Sequence, residues 1–195
     1  MGRAQTFDTA EVVRAARAVF WRQGYESAAL PELERATGLS RSSIYHAFGS
    51  KRGLFDAAIE SYLDEVIRPR LVPLIAQEVA PDALERYLAG LRAALLAEGT
   101  LPASSGCLLV NAAAAPIAQD PAIARVIIGY RAELRAALGG GIRARLPRLS
   151  DAEADVLADA CTGLVVSALA LVRVDPQGAA ASLDTARALV LARAA

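Results

Sequence analysis

The chain has 195 residues, 54% of them hydrophobic, 22% charged and only 5% aromatic, with 21 Lys+Arg balanced by 21 Asp+Glu. That length supports one sizeable core or two modest ones. Zero net charge argues, taken by itself, against a nucleic-acid binder. Ala, Leu, Arg and Glu are strong helix formers and β-branched runs are scarce, so the expected fold class is all-α. The charge is unevenly spread: residues 1–55 hold eight Arg/Lys and five Asp/Glu, the remainder thirteen and sixteen. A basic head on an acidic body suits a protein that touches phosphate at one end only. Cys107, Cys161 and the lone His46 form no metal-ligand spacing, so neither metal nor cofactor is expected. The first residues lack the apolar core of a signal peptide. No apolar run approaches the roughly 18 residues of a membrane helix, the longest being Gly163–Val172. A soluble cytoplasmic protein with no membrane partner is expected.

Residues 1–7 read as a loose arm in which Arg3 adds a phosphate contact. Thr9 caps a helix running to about Gln23, with Val12, Ala15, Ala16, Val19 and Phe20 on its core face and Trp21 in packing; Gly24 ends it. A second helix starts near Pro31 and stops at Gly38, a residue suited to a left-handed C-terminal cap. Ser40 then caps a short third helix. Ile44 and Phe48, four apart, form its apolar back, while Arg41, Ser42, Ser43, Tyr45 and His46 fill the remaining arc with hydrogen-bonding groups. Helix, glycine turn, capped polar helix is the helix-turn-helix pattern, whose second helix enters the DNA major groove. Ser50 caps a fourth helix, 51–67, with Leu54, Phe55, Ala58, Ile59 and Tyr62 apolar at helical spacing. Lys51, the only lysine, stands at its N-terminus, where backbone N–H groups already favour phosphate. Pro69 and Pro73 are expected to end or kink this helix.

Ala16, Phe20, Gly24-Tyr25, Leu33, Gly38-Leu39-Ser40, Ile44-Tyr45, Phe48 and Ser50-Lys51, with Leu54-Phe55 behind, give residues 9–55 a resemblance to the N-terminal domain of the TetR family of transcriptional regulators. It covers about a quarter of the chain and keeps the family's spacing. It implies a DNA-binding head over residues 1–50 and a helical effector-binding and dimerisation body over 51–195, with helix 51–67 connecting them. It is also consistent with Tyr45, His46 and Lys51 as phosphate contacts, while Arg41, Ser42 and Ser43, at the front of the third helix, are the base-reading candidates. Ala28 and Ala29 depart from the family, whose members usually carry Thr or Ser there, as helix caps that also touch phosphate. Ser27 is the substitute for that contact.

In the body, Asp82–Glu98 carries Leu84, Leu88, Leu91 and Leu95 on one face. Leu101–Ser105 reads as a loop and cap, Gly106–Ala115 as an apolar helix and Asp120-Pro121 as the start of a helix to about Leu138, whose continuation Gly139–Gly141 weakens and Ile142–Leu146 can resume. Ser150 and Glu153 form a capping box opening a helix to about Val172, and a last helix covers roughly 178–193. Tyr87, Leu91, Cys107, Asn111, Tyr130 and Arg131 are candidates to line an effector pocket among the bundle leucines. The last two helices are apolar on more than one face, through Val156, Leu164, Ala168 and Leu171, then Leu183 and Leu189. Burial in the monomer core and a dimer interface both fit; the resemblance implies a four-helix dimer interface, and with it a palindromic double-stranded operator. Cys107, in the first turn of its helix, is either packing or a thiolate sensor, and its Gly-Cys-Leu-Leu-Val-Asn segment resembles a family branch with cysteine-sensing members.

There is no Ser/His/Asp set, GxGxxG or P-loop, so no enzyme activity is expected. Three functions remain in view: a repressor released by a small apolar effector, a thiol-based electrophile or oxidant sensor acting through Cys107, and an architectural DNA binder with no ligand.

Overall fold

A computed structural model describes residues 7–193, whose regular elements are all helices, with no strand among the described residues. The head comprises α1 (Thr9–Ser27), α2 (Leu30–Thr37) and α3 (Arg41–Phe48). Asp8, not Thr9, caps α1, accepting from the Ala10 N–H at 2.8 Å. Gly24, at φ 79°, breaks the helix before its last residues. Val12, Ala16, Val19, Phe20 and Trp21 are buried as expected and Val13 joins them, whereas Ala15 is only half-buried. Phe20 meets Phe55 edge-on at 5.0 Å, and Trp21 meets Tyr62 at 4.7 Å. The core therefore runs without a break from the head into the body.

α4 (Lys51–Tyr62) does not stop near residue 67. It passes through a π-helical turn, Leu63–Ile67, into α5 (Arg68–Ile75), forming one rod through both prolines. Proline removes a backbone donor and crowds the carbonyl of the preceding turn. The wide π turn just upstream re-pairs the backbone, Arg68 N–H going to the Leu63 carbonyl, so the helix absorbs Pro69.

The body continues with α6 (Ala83–Leu96), α7 (Leu101–Ser105), α8 (Leu108–Ala113), a 3₁₀ turn (Pro116–Gln119), α9 (Pro121–Arg145), α10 (Asp151–Leu171) and α11 (Pro176–Leu191). Leu101–Ser105, expected as a loop, is a short helix capped by Thr100. The last helix starts early because Asp175 accepts from the Gly178 N–H with Pro176 in the first turn. The glycine run does not weaken α9. A Cβ at Gly140 would lie 2.4 Å from the Leu74 carbonyl oxygen, and one at Gly141 would lie 2.9 Å from Leu84 Cβ. Those glycines let α5 and α6 pack directly onto α9. The Ser150–Glu153 capping box forms as expected.

Contrary to expectation, two stretches, Leu101–Gln119 and α10, are long and apolar enough, by length and composition, to cross a membrane. Here α10 packs on α8, α9 and α11, with Leu157, Cys161, Val165 and Ala168 buried among them.

Candidate nucleic-acid interface

α3 is held from behind and capped in front. Ile44 is fully buried and Phe48 packs against the core. A Cβ on Gly53 would sit 2.0 Å from the Phe48 carbonyl oxygen, so glycine is what lets α4 start so close beneath. In front, the Ser43 N–H donates to Ser40 Oγ at 3.2 Å, and the Arg41 N–H donates to the Glu34 carboxylate from α2. Gly38 takes the left-handed conformation, φ 69°, and Thr37 Oγ1 donates to the Leu33 carbonyl at 2.7 Å. Both ends of the turn are therefore pinned. The rigid helix presents Arg41, Ser42 and His46 to solvent, with Ser43 and Tyr45 half-buried beside them. Arg41 lies over the Tyr45 ring at 5.4 Å, which steadies the longest donor of this face.

Lys51 is less free than its sequence position suggested. Its ammonium lies over the Tyr25 ring at 4.7 Å and donates to the Glu26 carbonyl at 3.4 Å. Burial pushes its pKa below the ordinary lysine value, against a smaller opposite pull from Glu26. This cradle fixes a cation at the α4 N-terminus. Ala29 occupies the cap of α2 and makes no side-chain hydrogen bond. Ser27, the residue expected to replace the missing contact, is exposed at the end of α1. Arg3 lies outside the described residues. Arg22 and Arg35 are exposed and form no ion pair among the described residues; these two head cations escaped the motif-based reading because they lie outside α3.

The structure divides the pocket candidates in the body. Tyr87, Leu91 and Tyr130 line a narrow cleft of about 20 Å³ together with Trp21 and Tyr62. Tyr87 and Leu91 also wall an outer groove of about 300 Å³ between α5 and α6. Cys107 lies behind the cleft, its Sγ 3.7 Å from the Tyr130 hydroxyl. Two candidates fall away. Arg131 points outward and is exposed, because one residue along a helix turns about 100° from the buried Tyr130. Asn111 donates to the Ser105 carbonyl at 2.7 Å, so its amide ties the backbone instead of facing the cavity. Cys107 is the N-cap of α8, not a first-turn residue, and is 0% exposed. The thiol is thus sealed from any reagent that does not first open the core.

A sequence model described as "Bacterial regulatory proteins, tetR family" matches residues 12–58. The chain is 35% identical to the uncharacterized HTH-type transcriptional regulator YezE of Bacillus subtilis over 64% of its own length and 63% of that protein's, just short of two thirds of the relative. It is 30% identical to the HTH-type transcriptional regulator BetI of Rhizobium meliloti, over 73% of this chain and 67% of the relative. The chain belongs to the tetR family. Among solved structures, a cysteine mutant of the TetR-family regulator CifR, complexed with 26-bp double-strand operator DNA, aligns with a TM-score of 0.77 and 26% identity. That alignment covers 97% of this chain and 99% of CifR.

In this tetR-family chain, polar pins tie head to body. Trp21 Nε1 donates to the Gly106 carbonyl at 3.0 Å, and Glu26 accepts from the Ile117 N–H at 2.8 Å. Arg14 and Arg17 both hold Glu65 on the π turn at 2.9 Å. Arg52 pairs with Asp56 on its own helix and with Asp120, whose carboxylate also caps α9 through the Ala122 N–H at 2.8 Å. The Arg52 hydrogen bond, aided by the α9 amides, holds the Asp120 carboxyl well below the usual carboxylate range. A depressed carboxyl pKa stabilises the fold above the unfolded value of about 3.9, and that stabilisation is lost as pH falls below it. Asp120→Asn keeps the cap but removes the charge. Urea midpoints of the variant are expected to be lower than the parent's at pH 6 and to fall less steeply between about pH 5 and 3. Parallel curves for the two proteins would exclude Asp120 as an acid-sensitive tie.

The proposed interface residues also separate. Ala168 and Leu183 are buried in the single chain, so they belong to its own core and leave the candidate surface. Leu164 is half-buried. Val156 is 70% exposed, with Leu171 and Leu189 near 40%. Between them on α10, Ala160 and Gly163 are exposed as well, giving a small-residue stripe along the helix.

Proposed function

We propose that the chain is a homodimeric transcriptional repressor that binds a palindromic double-stranded operator and is released from it by a small-molecule effector. It acts in the cytoplasm, with neither cofactor nor enzymatic chemistry. One observation carries the reading: a short helix, pinned at both ends and packed through Ile44, turns Arg41, Ser42 and His46 to solvent on a head whose charge is net positive. That is the chemistry of major-groove recognition. The operator complex of CifR, similar over nearly the whole chain, supports it. The exposed apolar stripe on α10 and α11 supports pairing with a second copy, since a two-fold dimer places two heads on half-sites a helical turn, or a multiple of it, apart. The groove beside Tyr87 favours effector control over an architectural role. The burial of Cys107 disfavours a sensing thiol.

Selection of bound fragments from the source genome tests the reading. It should enrich a single palindromic sequence, and uniform recovery of all fragments would refute it. On that operator, Lys51→Ala should weaken binding alike for all sequences and lower the slope of log K against log salt by about 1. Arg41→Ala should instead relax preference at particular base pairs, by about 1–3 kcal/mol each. Fluorescence anisotropy on the operator and its single-base variants, between about 50 and 200 mM salt, distinguishes the two. If both variants lose only overall affinity, the division between reading and clamping residues is wrong.

A further inference from the structure

The groove and the cleft adjoin. Arg70, Tyr87 and Leu91 line both, and so form the throat between them. The outer part is walled by Pro69, Pro73, Ala83 and Ala94, and the inner part by aromatic and leucine side chains, including Trp21 and Tyr130. Its outer volume, about 300 Å³, lies at the small end of ligand sites. No acidic residue lines either part, while two arginines do. Arg86 is neutralised by Asp82 at 2.8 Å. Arg70 has no ion pair or hydrogen bond among the described residues, whereas Arg52 and Arg68 on the same rod each hold a carboxylate. The Tyr87 hydroxyl likewise has no hydrogen-bond partner among the described residues. An unpaired guanidinium and an unpaired phenol at the throat of an acid-free apolar cleft have complementary chemistry in one kind of ligand.

We infer that this site binds an amphipathic organic anion, a carboxylate on a compact aromatic or branched apolar body, with the anion on Arg70 and Tyr87 and the body in the outer groove, the part with room for it. The inference rests on the effector-responsive reading above and names its effector class. A guanidinium binds carboxylate through two parallel N–H bonds, and charge-assisted hydrogen bonds are roughly twice as strong as neutral ones. Burial holds the hydroxyls of Tyr87 and Tyr62 above their ordinary pKa against the opposing pull of Arg70, so both remain proton donors at neutral pH. The site is also placed to report. Arg70 follows the Leu63–Ile67 π turn on the rod that begins at Lys51, directly after α3. Glu65 on that turn is the residue held by Arg14 and Arg17 of the head. An anion that draws Arg70 into the throat therefore pulls on the segment tied to the DNA-reading head.

Isothermal titration of the 195-residue protein with 3-phenylpropionate, 4-phenylbutanoate and 1-naphthoate, each beside its primary amide, tests this. Each acid should bind at least tenfold more tightly than its amide, and Arg70→Gln, at an exposed position, should equalise the pair without changing the melting temperature of the free protein. The preferred acid should also weaken operator binding by the parent and not by the variant. Equal affinities for acid and amide, retention of the preference in Arg70→Gln, or no binding by any of the acids would overturn the inference. Operator binding by unliganded protein is measured in the same series, so a protein that binds DNA but ignores carboxylates sinks the effector class alone. A protein that binds no DNA sinks the functional reading instead.

Discussion

Gly106→Ala is expected to destabilise the protein by about 3–5 kcal/mol and to lower its melting temperature by roughly 10 °C, a large share of a typical domain stability of about 5–15 kcal/mol. Two costs combine. Gly106 sits at φ 64°, ψ −120°, a conformation closed to residues with a Cβ, and forcing one there costs about 1–3 kcal/mol. The added carbon would also lie 2.1 Å from the Leu169 carbonyl oxygen and 3.3 Å from Val172 Cγ1. Relieving that overlap by moving α8 or α10 costs a further 1–3 kcal/mol or so. The same residue accepts the Trp21 indole N–H, so any shift loosens head from body as well as softening the bundle. Gly129→Ala is the control. Nothing lies within 4 Å of the position where its Cβ would be built, and in an exposed helix interior the substitution should stabilise by about 0.5–1 kcal/mol. Thermal unfolding at one fixed protein concentration compares them. A Gly106→Ala protein within about 1 kcal/mol of the parent would mean the α7–α8 junction yields far more easily than its contacts imply.

The Gly106 conformation was not legible in the sequence, and the reason is general to this chain. Signals confined to a few neighbouring residues were readable: Gly38 and Gly24 as helix stops, Ser40 and Ser50 as caps, the Ser150–Glu153 box, and Asp120-Pro121. Each depends on a hydrogen bond or backbone torsion inside its own turn. The misreadings came where a distant element decided the outcome. Gly139–Gly141 looked like a weak point because Leu74 and Leu84, which meet Gly140 and Gly141, are distant in sequence. Pro69 looked like a stop or a kink because the compensating π turn leaves no sequence signature. In the site, the donor arc of α3 was legible from helical spacing, whereas the cradle of Lys51 on Tyr25 required a contact across the head. Arg70 was passed over for Arg131, since composition alone cannot say which arginine borders the groove. Ala168 and Leu183 were misplaced for a related reason: a helix apolar all round does not declare which side meets its own core.

Ala160→Glu is expected to convert a dimer into a monomer at micromolar concentration and to reduce operator affinity about 10²–10⁴-fold. Ala160 lies between Val156 and Gly163 on the outward stripe of α10, exposed in the single chain, so a glutamate there meets solvent in the monomer and costs the fold little. Across a two-fold interface each copy would present the same position to its partner's stripe. Two carboxylates would then lose solvation within an apolar surface, and truncating or adding an uncompensated buried charge costs several kcal/mol. The loss of DNA affinity follows from geometry and not from any change in α3. Linking two heads makes the second half-site contact effectively intramolecular, and a monomer forfeits that advantage while keeping every direct contact of one head. Ala93→Glu, exposed on α6, should leave both assembly and affinity unchanged. Sedimentation equilibrium and anisotropy on one full operator and one isolated half-site provide the readout. The variant should bind the half-site as the parent does and lose only the gain that the second half-site confers. If Ala160→Glu remains dimeric, or becomes monomeric yet holds the full operator as tightly as before, then α10 is not the surface that pairs the heads.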